Sequence, residues 1–363
     1  MPRAAVDGGL RCATVVVVLA PPSLALARSK LDRALYGAQQ LSLFFPAMAA
    51  HHLFRVLSHA AVPDVPPEVI REIRRRYVAL LRADLANVEA NLYPRDLLFQ
   101  FPLRAYGANL PRLLADMPRT VRRKKARNHR DVPDVDPARF PSYFRRTFHW
   151  QTDGYFTSRS ARLYDLSVEL LFLGTADVMR RQTIPPITRA LQAAGRDDGR
   201  LLDVGCGTGR LLSQMAASHP ALRLFGVDIS PAYVGAARAL LADVPDVSLV
   251  AENAESLPYR DGYFDMVTSV YLFHELPRAV RRVVLREMKR VLAPGGLLVL
   301  EDSAQLVESR TLAPTLARFA EEFHEPFYGD YLVDDLAVAL AREGFRVESV
   351  TPTYLSKVVV ARA

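Results

Sequence analysis

The chain has 363 residues, 50% of them apolar and 24% charged, with a mean hydropathy of +0.04, which describes a packed globular protein and excludes a disordered one. That length exceeds what one hydrophobic core usually serves, so one decorated domain or two are expected. The net charge of +8 is uneven, because residues 1–150 hold 24 Lys/Arg against 12 Asp/Glu while 151–363 hold 23 against 27.

At the N-terminus, Arg3 and Arg11 precede the apolar run Thr14–Ala20, and Ala25-Leu26-Ala27 has the small-x-small form of a leader cleavage site. Pro21-Pro22 interrupts the run and Asp7 sits among the basic residues, so export is not expected and residues 1–28 read as a disordered or wrongly assigned start. No segment reaches the roughly 18 to 20 apolar residues that a membrane-spanning helix needs. Residues 29–150 read as a helical, basic region. Between Lys30 and Ala60, Leu31, Leu35, Leu41, Phe44, Met48, Leu53 and Leu57 recur mostly three to four apart, the spacing of a helix that Pro46 bends or divides. Pro66-Pro67 then opens a second helix reaching about Leu92. Residues 94–150 hold many prolines and read as an irregular connection with short helices. The densest basic stretch, Arg119–Arg130, has two readings: attraction to anionic lipid headgroups or RNA, and a solvated face. Aromatic residues do not alternate with these charges as base stacking requires, so nucleic acid is not an expected partner. Peripheral membrane contact through the basic half stays open.

Ser160–Ala194 reads as one helix or two, with a restart at Ile184-Pro185-Pro186. The apolar run Leu201-Leu202-Asp203-Val204 then breaks into three alternating glycines, Gly205, Gly207 and Gly209, and Leu224–Val227 follows, ending in Asp228. A strand, a glycine turn, a helix and a second strand closed by an acid describe a nucleotide-binding βαβ unit. The glycines let the backbone turn tightly beside a ligand, and Asp228 can accept from both hydroxyls of a ribose. Arg210 stands where the dinucleotide fingerprint places its third glycine, so the ligand reads as adenosine-like and not as NAD. Strands are expected near 200–204, 223–228, 247–250, 264–270 and 297–302, with helices after Gly209, after Pro231 and from Pro277 to Leu292. Two last strands, 346–354 and 357–363, flank a turn centred on Ser356. Residues 151–363 are therefore expected to form an α/β domain with a doubly wound sheet, its ligand at the carboxyl ends of the strands.

The turn from Asp203 to Gly209, Asp228, and the ordered segments Ala251–Tyr259, Tyr263–Val270 and Arg290–Leu300 resemble the class I S-adenosylmethionine-dependent methyltransferases, in the broad group that includes the ubiquinone/menaquinone C-methyltransferases. The resemblance implies a Rossmann-like, seven-stranded methyltransferase sheet, with the helical N-terminal region as an extension. It also implies S-adenosylmethionine as cofactor and a cytoplasmic setting. Residue by residue, it implies that the turn (Asp203, Gly205, Cys206, Gly207, Gly209) contacts the methionine part and Asp228 the ribose. Asn253 and Ala254 border the adenine, and Ile229 and Val270 complete the cofactor-binding set. Asn253 stands where many relatives have Asp. Tyr164-Asp165 falls on the helix that such enzymes pack over the cofactor, as a cofactor-side pair or a core tyrosine. Phe148–Phe156 and Phe273-His274-Glu275-Leu276-Pro277 resemble a bacterial and plastid subgroup.

Methyl transfer from a sulfonium is an in-line displacement that needs alignment and exclusion of water. No metal is called for, and a base matters only where the acceptor must lose a proton. His274, with Glu275 beside it, is the candidate base, and a structural hydrogen bond is its other reading. Phe319–Tyr331, with Glu321, Glu322, Phe323, His324, Glu325, Phe327, Tyr328 and Tyr331, joins Phe148–Phe156 as an aromatic-lined pocket, or packs as an aromatic helix on the sheet. Of the two cysteines, Cys12 and Cys206, the second lies in the glycine turn, so no disulfide is expected and the chain suits a reducing compartment. So few thiols speak against arsenite methylation and a structural zinc site. The expected function is methylation of a small, lipophilic or aromatic acceptor. The alternatives are methylation of tRNA or rRNA and non-catalytic cofactor binding.

Overall fold

A computed structural model describes residues 22–58, 65–136 and 138–363. Arg3, Arg11, Cys12, the run 14–20, Ala60 and the side chain of Glu321 lie outside the described residues. Seven strands, β1 Gly199–Val204, β2 Leu222–Val227, β3 Val247–Val250, β4 Phe264–Val270, β5 Leu292–Ser303, β6 Arg346–Pro352 and β7 Ser356–Arg362, form one sheet in the order β3-β2-β1-β4-β5-β7-β6. The first five are parallel and β7 enters antiparallel between β5 and β6. The expected Ser356-centred turn lies one step earlier, because Ser356 is already the first residue of β7.

The chain also forms α1 Pro22–Ser58, α2 Pro67–Glu89, α3 Leu103–Ala126, α4 Ser158–Leu171, α5 Ala176–Arg181, α6 Ile184–Ala193, α7 Arg210–Ser218, α8 Pro231–Leu240, α9 Arg278–Val291, α10 Ala313–Phe323, α11 Tyr328–Val333 and α12 Leu336–Arg342. Successive strand residues face opposite sides of the sheet, and each side is covered, which is why β1 and β5 are continuous apolar runs. Leu201 and Val299 pack with Ile184 and Ile187 of α6 and Leu211 and Met215 of α7. Leu202, Leu298 and Leu300 pack with Val284 and Met288 of α9 and Leu336 and Leu340 of α12.

The first helix is not divided at Pro46, which lies inside it. Residues 103–126, expected to be irregular, form α3 despite Pro111 and Pro118 inside it. Tertiary contacts outweigh the proline penalty there. Asp116 of α3 is buried and accepts from the Thr152 hydroxyl at 2.6 Å and from Arg159 at 2.6 Å. Arg123, within the basic stretch, is buried as well, and its Nε donates to the Trp150 carbonyl at 3.1 Å; this one residue is neither solvated nor free to meet an anionic partner.

Asp84 of α2, 0% exposed, anchors the extension to the sheet-bearing half. It accepts from the Tyr36 hydroxyl at 2.6 Å, from the Tyr93 hydroxyl, and from Arg181 of α5, whose Nε lies at 3.0 Å. Among the described residues no helix is long and apolar enough to cross a membrane.

Candidate functional site

The sheet order reverses direction between β1 and β4, and that switch point opens a cleft at the carboxyl ends of the strands. Each strand end delivers part of its wall: Gly205 and Gly207 after β1, Asp228 and Ile229 after β2, Asn253 and Ala254 after β3, and Val270 at the end of β4. These seven predicted residues line one cleft of about 100 Å³, closed from above by Phe148, Tyr155 and Tyr164. Three others lie behind the wall. Asp203 is buried and accepts from the Thr268 hydroxyl at 2.9 Å, and burial pushes its carboxyl up to about 7. Cys206 packs into the apolar layer beneath the turn, its thiol free, and Gly209 is the N-cap of α7.

The glycines serve distinct purposes. Gly205, Gly207 and Gly209 all have positive φ, at 74°, 54° and 82°. A Cβ on Gly209 would meet the Ala237 Cβ at 3.0 Å, and one on Gly205 the Leu272 side chain at 3.3 Å. A Cβ on Gly207 would meet nothing within 4 Å, so the space in front of it is open to a ligand. Arg210 sends its guanidinium away from the cleft to Asp177 of α5. That ion pair accounts for an arginine where a dinucleotide fold wants glycine.

Asp228 is held from both sides. Its Oδ2 accepts from the Gly207 N–H at 2.9 Å and its Oδ1 from the Ser230 N–H at 2.8 Å. Burial raises its carboxyl to about 6 even though both N–H donors pull the other way. Asn253 turns inward instead: its Oδ1 accepts from the Glu255 N–H at 3.0 Å and its Nδ2 donates to the Glu255 carboxylate at 3.0 Å. Asp165, expected beside Tyr164, accepts from the Thr208 hydroxyl at 2.7 Å under the turn and leaves the cleft to Tyr164.

A second cavity, about 60 Å³ and mostly apolar, opens beside the first and shares Tyr164, Tyr271 and Glu275 with it. Its walls include Phe172, Phe319, Tyr328 and His274. It shares His149, Tyr164, Val168 and Leu171 with a third cavity of about 230 Å³ between α1, α3 and α4. The two aromatic segments singled out in the sequence are thus brought together: Phe148 and Tyr155 on the cleft, His149, Phe319 and Tyr328 on the inner cavity.

His274 faces the inner cavity and not the cleft. Its Nδ1 lies 2.6 Å from Asp302. Burial alone would lower its pKa, but Asp302, with Glu325 and Glu275 beyond, holds it up at about 9. At neutral pH it is a cation with a hydrogen to donate. Sequence reasoning did not single out Tyr143, Phe144 and Glu252 on the cleft wall; Glu252 lay inside the recognised segment 251–259, whereas the two aromatics sit in a proline-rich stretch with no periodic signal. His149 lay within the segment 148–156 singled out in the sequence, but its pairing was not foreseen: its Nε2 lies 3.4 Å from Glu275 and 3.0 Å from Glu325.

A family model described as a methyltransferase domain matches residues 201–296. The chain is 31% identical over 175 residues to the malonyl-[acyl-carrier protein] O-methyltransferase of Geobacter sulfurreducens, covering 46% of this chain and 63% of that protein. It is 32% identical over 190 residues to a ubiquinone/menaquinone biosynthesis C-methyltransferase of Francisella philomiragia, covering 50% of this chain and 70% of the relative. Against the O-methyltransferase cnsE of Penicillium expansum it is 35% identical, over 42% of this chain and 53% of the relative. The chain therefore spans less than two thirds of the length of the first and last of these three. A solved S-adenosylmethionine-dependent methyltransferase from Aquifex aeolicus aligns with 50% of this chain and 92% of its own at 21% identity, with a TM-score of 0.38.

Proposed function

Because the chain belongs to the class I S-adenosylmethionine-dependent methyltransferases, we propose that it transfers a methyl group to a small, lipophilic, aromatic or carbonyl-bearing acceptor held in the inner cavity. The observation that carries this reading is the continuity of the two spaces: Tyr164, Tyr271 and Glu275 belong to both the cleft and the apolar cavity beside it.

The cleft fits the cofactor, since open space lies in front of Gly207 and a carboxylate stands at the end of β2. Asp228 would take the ribose hydroxyls, Ile229 and Ala254 would flank the adenine, and Gly205 and Gly207 would lie along the methionine part. When bound, S-adenosylmethionine supplies a methyl on a sulfonium, which a positioned nucleophile displaces in line. Phe148, Tyr155 and Tyr164 line the cleft, and with cofactor bound they would help to keep water from the reacting methyl. Tyr155 donates its hydroxyl to Glu275 at 2.6 Å and so fixes that carboxylate at the passage between the two spaces. Glu275 is the acceptor-side base in this reading, and His274, held protonated by Asp302, is a hydrogen-bond donor to the acceptor.

The reading is tested by titrating the protein with S-adenosylmethionine and then following label from its methyl group into phenols, quinols, carboxylic acids and bulk tRNA. Labelling of a lipophilic small molecule, with tRNA unlabelled, is expected. Labelling of tRNA alone, or no cofactor binding, overturns it.

A further inference from the structure

We propose that His149, Glu275 and Glu325 form a binding site for a divalent first-row metal ion, seated where the cofactor cleft meets the inner cavity. The three side chains come from separate segments: the turn before α4, the turn after β4, and the link between α10 and α11. One ligand atom from each lies within 4.8 Å of the others. The His149 Nε2 stands 3.4 Å from a Glu275 oxygen and 3.0 Å from a Glu325 oxygen. Ligands held at about 2.0 to 2.2 Å from one ion lie about 3 to 3.5 Å apart at neighbouring positions, which matches both distances from His149.

Glu325 points independently to a ligand. Its side chain is 0% exposed; its Oε1 meets the His149 Nε2 at 3.0 Å, and its Oε2 has no hydrogen-bond partner among the described residues. A buried carboxylate oxygen without a donor is costly, and proteins rarely keep one that nothing satisfies. Charge argues the same way. Two carboxylates and a neutral imidazole around a dication carry no net charge, which suits a buried place. Glu275 already accepts from the Tyr155 hydroxyl, an outer contact that would orient it as a ligand.

One imidazole nitrogen with two carboxylates favours manganese, iron or zinc over magnesium or calcium, which take oxygen alone. His149 and Glu275 line the inner cavity, so the positions left open on the ion face that space. Such an ion would take an acceptor oxygen, that of a phenol, enol or carboxylate, and favour its ionised form. This last role rests on the function proposed above, with the ion taking over from Glu275, which as a ligand no longer serves as the base; the metal site itself does not rest on it. His149 and Glu325 both lie outside the family-matched segment 201–296, so the site would belong to what this chain adds around the common domain.

The test is calorimetric titration of chelator-treated full-length protein with Mn²⁺ and, separately, Zn²⁺, with bound metal counted by atomic emission. The wild type is expected to hold one ion per chain. Glu325→Gln keeps the shape and removes the charge, and His149→Asn removes the nitrogen ligand; each is expected to weaken binding at least tenfold. S-adenosylmethionine affinity, measured on the same samples, reports whether each variant is folded, since Glu325 does not line the cofactor cleft. Absence of stoichiometric binding by the wild type, or unchanged binding by both folded variants, overturns the site. Metal binding without any cofactor binding would instead keep the site and overturn the methyl-transfer reading.

Discussion

The carboxylate of Asp228 accepts the Gly207 N–H at 2.9 Å, so the acid that closes β2 also holds the crest of the glycine turn after β1. One side chain thereby shapes the turn and presents the cleft with a charge. Asp228→Ala is expected to weaken S-adenosylmethionine binding by about 10- to 100-fold, since hydrogen bonds to a charged group contribute about 1.5 to 3 kcal/mol. Calorimetry checks this beside a thermal melt, and an affinity within twofold of the wild type would remove Asp228 from the ribose. The same carboxyl sets a pH dependence. Burial raises it to about 6, and the protonated form loses acceptor capacity, so affinity should be flat above neutrality and fall as pH drops through about 6. For folding the sign is opposite: the raised carboxyl makes the empty protein less stable as pH rises from the usual carboxylate range towards 6.

Gly207 and Gly209 separate a ligand requirement from a packing requirement. Gly209→Ala combines a φ of 82° with a contact of 3.0 Å to the Ala237 Cβ, and should cost about 2 to 3 kcal/mol of stability. Gly207→Ala meets only the left-handed backbone penalty, about 1 kcal/mol, yet places a methyl in the space assigned to the cofactor. It is expected to weaken binding at least tenfold while melting closer to the wild type than Gly209→Ala does. Equal affinities for Gly207→Ala and the wild type would empty that space of cofactor.

Much of this was legible in the sequence because the information is local. The strand, glycine turn and acid from Leu201 to Asp228 lie within thirty residues of chain, and every parallel strand was expected within a few residues of where it is. The rest depended on distant partners. The prolines of α3 gave a false sign of irregularity because Asp116 and Arg123 are held by Thr152, Arg159 and Trp150, which no local pattern reveals. His149, Glu275 and Glu325 carry no metal-ligand spacing, being brought together only by the fold. Asp203 and Cys206 belong to the motif but serve the layer beneath it.

Asp84 gives a measure of how firmly the extension is docked. Its partners Tyr36, Tyr93 and Arg181 come from α1, the turn after α2, and α5. Asp84→Ala leaves Arg181, 3% exposed, without its counter-charge, and removal of one partner from a buried pair costs about 3 to 5 kcal/mol. Chemical denaturation should show a loss in that range, and limited proteolysis should cut within the first hundred residues faster than in the wild type. A loss below about 1 kcal/mol would mean that the node is open to water.

His274 and Asp302 form the other buried ion pair with a readable pH signature. The histidine is raised to about 9 by Asp302 against the opposing effect of burial. A group raised on folding stabilises fully below its unfolded pKa, about 6.5, and loses that contribution as pH rises through its folded value. His274→Ala should therefore be about 3 kcal/mol less stable than the wild type at pH 6, with the gap narrowing as pH rises above about 6.5 and largely closed by about pH 9. Cofactor affinity should stay unchanged, since the ring faces the inner cavity and not the cleft. If His274 also donates to the acceptor, turnover in the wild type falls as the ring deprotonates near pH 9, and His274→Gln, which keeps a donor, retains more turnover than His274→Ala. Equal turnover in the two variants, with the stability gap present, would leave His274 a purely structural partner of Asp302.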